Sequence, residues 1–150
     1  MWNSNKSLKL SAIFTKVVMM LVIVFAFSLP MLLAKTIPDE FLIIDSDEIG
    51  YMLPVVYISC VLAFIALFSL NQLLSNIKKE MVFIKKNVQI LRRISWCCLI
   101  VALLFLLGSL FSVVFLLMSL MAGFVGLILR VVKNVFQTAV EIKAENDFTI

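Results

Sequence analysis

Residues 94–129 run for 36 positions without an aspartate, glutamate, lysine or arginine. As one helix this stretch would be about 54 Å long at about 1.5 Å per residue, far beyond a hydrocarbon core of about 30 Å. It has to fold back on itself, and Gly108-Ser109 through Ser112 supplies the turn-forming residues in the right place. Two further charge-free runs, 17–34 (18 residues) and 49–77 (29 residues), each suffice for one crossing. Composition agrees: 63% of the residues are apolar, only 15% are charged, and the mean hydropathy is +1.14. A soluble domain sits nearer about 45–50% apolar and about 25% charged.

The fold class expected is all-α: a polytopic membrane protein built as a single four-transmembrane-helix bundle. Spans are expected at about 13–34, 54–74, 91–107 and 113–132. Between them lie an outer loop 35–50 and a cytoplasmic loop 75–93, with a cytoplasmic tail 133–150. Pro54 suits the first turn of its helix, where a missing N–H costs nothing. With both termini in the cytoplasm, 12 of the 13 basic residues fall inside and Lys35 alone outside. Five of the nine acids lie outside, so the net charge is +8 inside and −4 outside. That asymmetry is the positive-inside pattern, and a three-span reading would break it by exposing Arg130 and Lys133 on the outer face. The basic-then-apolar N-terminus is read as a retained anchor, because cleavage after Ala34 would put Leu32 where a small residue is wanted.

The chain contains no histidine, which removes Ser-His-Asp and Cys-His catalysis and the HExxH zinc site. Cys60, Cys97 and Cys98 make no CxxC pair. No carboxylate lies within a span, so nothing marks an ion or proton pathway. Neither an enzyme nor a cofactor is expected. The outer segment beginning at Asp45 starts like a calcium loop but carries Ile49 and Val56 where ligands are required. Small residues at Ser119, Ala122, Gly123 and Gly126 permit close helix approach, within the bundle first and between copies of a homo-oligomer second.

The cytoplasmic loop is the most patterned segment. Its bases come as doublets seven apart: Lys78-Lys79, Lys85-Lys86 and Arg92-Arg93. A helix continued through them would gather all six on one face and set Ile77, Met81, Ile84, Val88 and Leu91 on the other. Such a helix would rest in the interface with its bases toward anionic lipid, or offer a docking face to an acidic partner. No nucleic-acid reading motif accompanies the basic patch, so direct nucleic-acid binding is not expected. In the tail, Val132, Val135, Phe136, Ala139, Val140 and Lys143 form a helical stripe. Glu141, Glu145 and Asp147 are placed to pair with Lys85, Lys86 or Arg92.

Two segments carry a family likeness. Val82-Phe83-Ile84-Lys85-Lys86-Asn87-Val88, followed by Leu91-Arg92-Arg93-Ile94-Ser95, resembles the central signature of the bacterial domain of unknown function 2975 family. The ending from Val135 through Phe136, Ala139, Glu141, Lys143, Glu145, Asn146 and Asp147 to Ile150 is similar to the close of the same family. Members often carry a glycine just before the Phe83 motif, where this chain has Glu80-Met81. The resemblance implies a four-span protein of the bacterial cytoplasmic membrane without assigned enzymatic activity. It also implies a gene neighbour encoding a small Cro/C1-type helix-turn-helix regulator. The expected role is therefore a non-enzymatic regulatory or sensory membrane partner of such a regulator. The alternative is a small oligomeric channel, transporter subunit or self-immunity protein.

Overall fold

A computed structural model describes residues 4–35, 46–110 and 113–148. They form four helices: α1 Ser4–Lys35, α2 Ser46–Lys78, α3 Lys85–Gly108 and α4 Val113–Phe148. Each contains a stretch long and apolar enough to cross a membrane: Lys6–Pro30, Leu53–Lys78, Lys85–Gly108 and Val113–Asn146. The chain is a multi-pass, all-α membrane protein. Most of the expected outer loop, residues 36–45, lies outside the described residues, as do Thr149 and Ile150.

The long charge-free run folds back from Gly108-Ser109, with the expected turn residue Ser112 outside the described residues. α3 stops at Gly108, Ser109 donates its backbone N–H to Phe105 and Leu106 carbonyls, and α4 begins at Val113. The helices pack in chain order: α1 on α2, α2 on α3, α3 on α4, each antiparallel to the one before. Among the described residues α1 and α4 do not pack against one another. A cavity of about 390 Å³ lies between α1, α2 and α3, lined by Val18, Phe25, Ser59 and Phe105 among others.

α3 and α4 pack most closely because small residues face each other across them. Ser119 Oγ donates to the Ala102 carbonyl at 2.8 Å, and Ser95 Oγ donates to the Gly126 carbonyl at 2.9 Å. A Cβ on Gly126 would lie 3.0 Å from Leu99 side-chain carbons, so α3 approaches over bare backbone there. The small residues of α4 thus serve packing within the chain.

Two prolines sit deeper in helices than their sequence positions suggest. α2 begins at Ser46, so Pro54 lies in its interior rather than its first turn; Pro30 is likewise inside α1. Each proline falls near the end of its apolar stretch, Pro30 closing the span in α1 and Pro54 opening the one in α2, rather than at mid-membrane.

The buried core is asymmetric. Leu73, Ile90, Leu91 and Ile94 form its centre, with Leu70, Ile77, Leu129, Val132 and Phe136 packed around it. All belong to the end of the molecule where α2 finishes, α3 starts and α4 runs out. Large side chains elsewhere, such as Phe14, Met20, Phe27, Leu110 and Met121, are exposed. Apolar surface on that scale is stable against acyl chains and unfavourable against water.

Candidate functional site

The basic residues gather at the packed end. Lys78 closes α2, Lys79 stands in the following turn, Lys85 and Lys86 open α3, and Arg92 and Arg93 lie two turns further along it; all six are exposed. The one continuous helix that the doublets would allow across residues 76–93 is not formed. α2 and α3 are separate helices joined by residues 79–84.

The break has a local cause. Met81 N–H donates to the Asn76 carbonyl at 3.1 Å and Glu80 N–H to the Ile77 carbonyl at 3.0 Å. Between them these two bonds make a Schellman stop, in which the residue after the cap turns left-handed. That residue is Glu80, with φ 62°. Glycine takes this conformation without strain, whereas a side chain raises its cost.

Asn87 holds the turn in place. Its side chain is wholly buried, and its amide faces three partners. Asn87 Nδ2 donates to the Met81 carbonyl at 2.8 Å and to the Val82 carbonyl at 2.7 Å. Asn87 Oδ1 accepts from Asn76 Nδ2 at 2.7 Å. Two carbonyls on one side and an amide donor on the other fix which way the group points. Asn76 contributes twice, since its own carbonyl also accepts from Lys79 N–H at 3.1 Å. One buried pair of asparagines therefore joins the last turn of α2, the connecting turn and the first turn of α3. Asn87 belongs to the motif read from sequence; Asn76 does not, and nothing but its place at the end of an apolar run could have marked it.

Along residues 85–94 of α3 the exposed residues are Lys85, Lys86, Gln89, Arg92 and Arg93, and the buried ones Asn87, Val88, Ile90, Leu91 and Ile94. The two-sided pattern thus holds along residues 85–94, while Met81, expected on the apolar side, is exposed in the turn, as is Phe83. Phe83 nevertheless reaches α4, where its ring lies 5.9 Å from that of Phe136.

α4 continues unbroken past the apolar span and lies alongside the start of α3. Val132, Phe136, Ala139 and Val140 turn inward, whereas Val135 and Lys143 are exposed. Arg130 stacks over the ring of Trp96 at 5.3 Å, a cation–π contact on a side chain 52% exposed. Lys133 Nζ donates to Gln137 Oε1 at 3.2 Å, and Gln137 Nε2 donates to Glu141 Oε1 at 3.1 Å. Glu141 shares a groove of about 210 Å³ with Lys85 and Arg92, floored by the buried Val88 and Val140. The structure thus brings Glu141 into the same groove as two of its expected partners while it bonds along its own helix. Glu145 and Asn146 are exposed in the last turns, and the side chain of Asp147 lies outside the described residues. Among the described residues no cluster of potential ligands is placed to hold a metal ion.

This end of the molecule presents exposed cations around a small groove lined by Lys85, Gln89, Arg92, Gln137 and Glu141 over Val88 and Val140. Cavities at the level of the spans are lined by apolar side chains, with Tyr57, Ser59 and Ser119 as their hydroxyl groups. No curated protein and no solved structure matches the chain. A family model does match, over residues 9–150, and on that extent the chain belongs to the family described as Protein of unknown function (DUF2975).

Proposed function

We propose that this protein is a non-enzymatic regulatory component of a bacterial cytoplasmic membrane, with both termini in the cytoplasm. In this reading its basic end docks a cytoplasmic partner, a small helix-turn-helix regulator of the kind the family resemblance implies. The orientation rests on the concentration of lysine and arginine at one end of the helices. The partner-docking role rests on one observation above the others. The asparagine pair Asn76–Asn87 rigidly joins α2 to α3 and so presents Lys78, Lys79, Lys85, Lys86, Arg92 and Arg93 in a fixed arrangement. Preorganised charges lower the ordering cost of association and steer an acidic partner. The apolar lining of the span-level cavities gives less support to a channel or transporter subunit.

Crosslinking in the native host followed by co-purification of the full-length protein tests the reading. The expected product joins residues 78–93 or the α4 tail to a small DNA-binding protein. Recovery of no such protein, or crosslinks confined to residues 35–50, would refute it.

A further inference from the structure

We infer that the groove between the first turns of α3 and the projecting part of α4 binds the head group of a phospholipid, its phosphodiester on Lys85 and Arg92 and its hydroxyl groups on Glu141. The position of the groove favours a lipid. Trp96 and Arg130 stack where an amphipathic ring belongs, at the edge of the hydrocarbon. Arg92 lies one helical turn, about 6 Å, beyond Trp96 toward water. That is the depth of a lipid phosphate, since the polar layer on each side of a bilayer is about 5–8 Å thick.

The chemistry of the walls narrows the class. Lys85 and Arg92 stand seven residues apart, about 10 Å along one face of α3, and both line the groove. In the proposed complex Arg92 meets the phosphate at its own depth and the long Lys85 side chain reaches back down to it, each as a charge-assisted donor. Glu141 on the opposite wall would repel a second anionic group, which disfavours a polyacidic peptide. A carboxylate does accept hydrogen bonds from neutral hydroxyls, and a glycerol head group offers two. Gln137, clamped between Lys133 and Glu141, holds that carboxylate in place. The volume, about 210 Å³, is below the range of about 300–1,000 Å³ that takes drug-sized ligands, and suits a head group whose acyl chains remain in the bilayer. Val88 and Val140 give the groove an apolar floor for the head group's carbon backbone. This inference shares Lys85 and Arg92 with the regulatory reading but does not rest on it: with a lipid in the groove a partner would meet Lys78, Lys79, Lys86 and Arg93, so either reading can fail while the other stands.

The test is equilibrium binding of fluorescent phosphatidylglycerol to the delipidated full-length protein in uncharged micelles, with phosphatidylcholine and soluble glycerol phosphate as competitors. The double variant Lys85→Gln/Arg92→Gln is expected to weaken binding about tenfold, because it removes two charge-assisted contacts. Lys78→Gln/Lys79→Gln, which removes the same charge outside the groove, should weaken it less than about twofold, the size of a diffuse charge effect. Phosphatidylcholine should compete poorly. Equal losses in the two double variants, or equal competition by phosphatidylcholine, would overturn the site. Competition by glycerol phosphate as effective as that by the lipid would overturn its assignment to a lipid.

Discussion

Replacing Asn87 by alanine removes three hydrogen bonds at once, because its amide serves Asn76, Met81 and Val82 together. A net hydrogen bond in a folded protein contributes about 0.5–1.5 kcal/mol. Polar contacts measured inside membrane bundles average nearer about 0.6 kcal/mol. Three bonds therefore contribute between about 2 and 4 kcal/mol. The carbonyls of Met81 and Val82 lie in the connecting turn, where water can replace the amide. Asn76 is buried, so its stranded Nδ2 adds a desolvation cost of about 1–3 kcal/mol. With water taking the amide's place at the two turn carbonyls, Asn87→Ala is expected at the low end of the combined range of about 3–7 kcal/mol, a loss of about 3 kcal/mol. Asn87→Asp keeps the acceptor for Asn76 but turns a carboxylate oxygen toward two carbonyls, and should lose more. Reversible unfolding of the full-length chain in mixed micelles of increasing sodium dodecyl sulfate, followed by far-ultraviolet circular dichroism, measures both. A double-mutant cycle with Asn76→Ala should give a coupling of about 1–2 kcal/mol. An Asn87→Ala protein within about 0.5 kcal/mol of the parent, the range of ordinary surface changes, would refute the proposition that this pair holds the turn.

The same titration checks three other expectations. Glu80→Gly should stabilise the protein by about 0.5–1 kcal/mol, since the left-handed backbone at φ 62° costs a side chain about 1–2 kcal/mol and glycine's unfolded-state entropy returns part of it; a destabilised glycine variant would contradict this. Gly126→Ala should lose about 1–3 kcal/mol through overpacking on Leu99, whereas Gly123→Ala, whose Cβ would meet Ala102 at an ordinary 3.6 Å, should stay within about 0.5 kcal/mol of the parent. Equal effects of the two alanines would undo the close-approach account of α3 and α4. A Phe83→Leu/Phe136→Leu cycle should show coupling of about 0.5–1.5 kcal/mol for the paired rings, and no coupling would mean that the connecting turn is held by Asn87 alone.

The helices were legible because hydrocarbon thickness is a demanding ruler. A charge-free run of 36 residues can satisfy it only by reversing, and the reversal starts from Gly108-Ser109. The connecting turn was illegible for the opposite reason. Base doublets seven apart fit a helix from Ile77 to Ile94, and the residue that ends α2 is a glutamate in a conformation usually left to glycine. Backbone hydrogen bonds overrode the periodicity. Asn87 came forward through its motif, but its partner Asn76 looked like any polar residue at the end of an apolar run. The groove lay beyond sequence reasoning because it requires the register of α3 on α4. Ser95, Ala102, Ser119 and Gly126 set that register through contacts 17 and 31 residues apart in the chain.

α4 carries no interruption between its apolar span and its polar end: 36 residues form a single rod about 54 Å long. Such a rod is a lever. A rocking of about 10° about its midpoint, well within the range of inclinations that spanning helices adopt, would sweep either extremity by about 5 Å. Changes in bilayer thickness or lateral pressure would thereby reach the water-facing tip as a displacement comparable to the width of a side chain, with no hinge in between to absorb it.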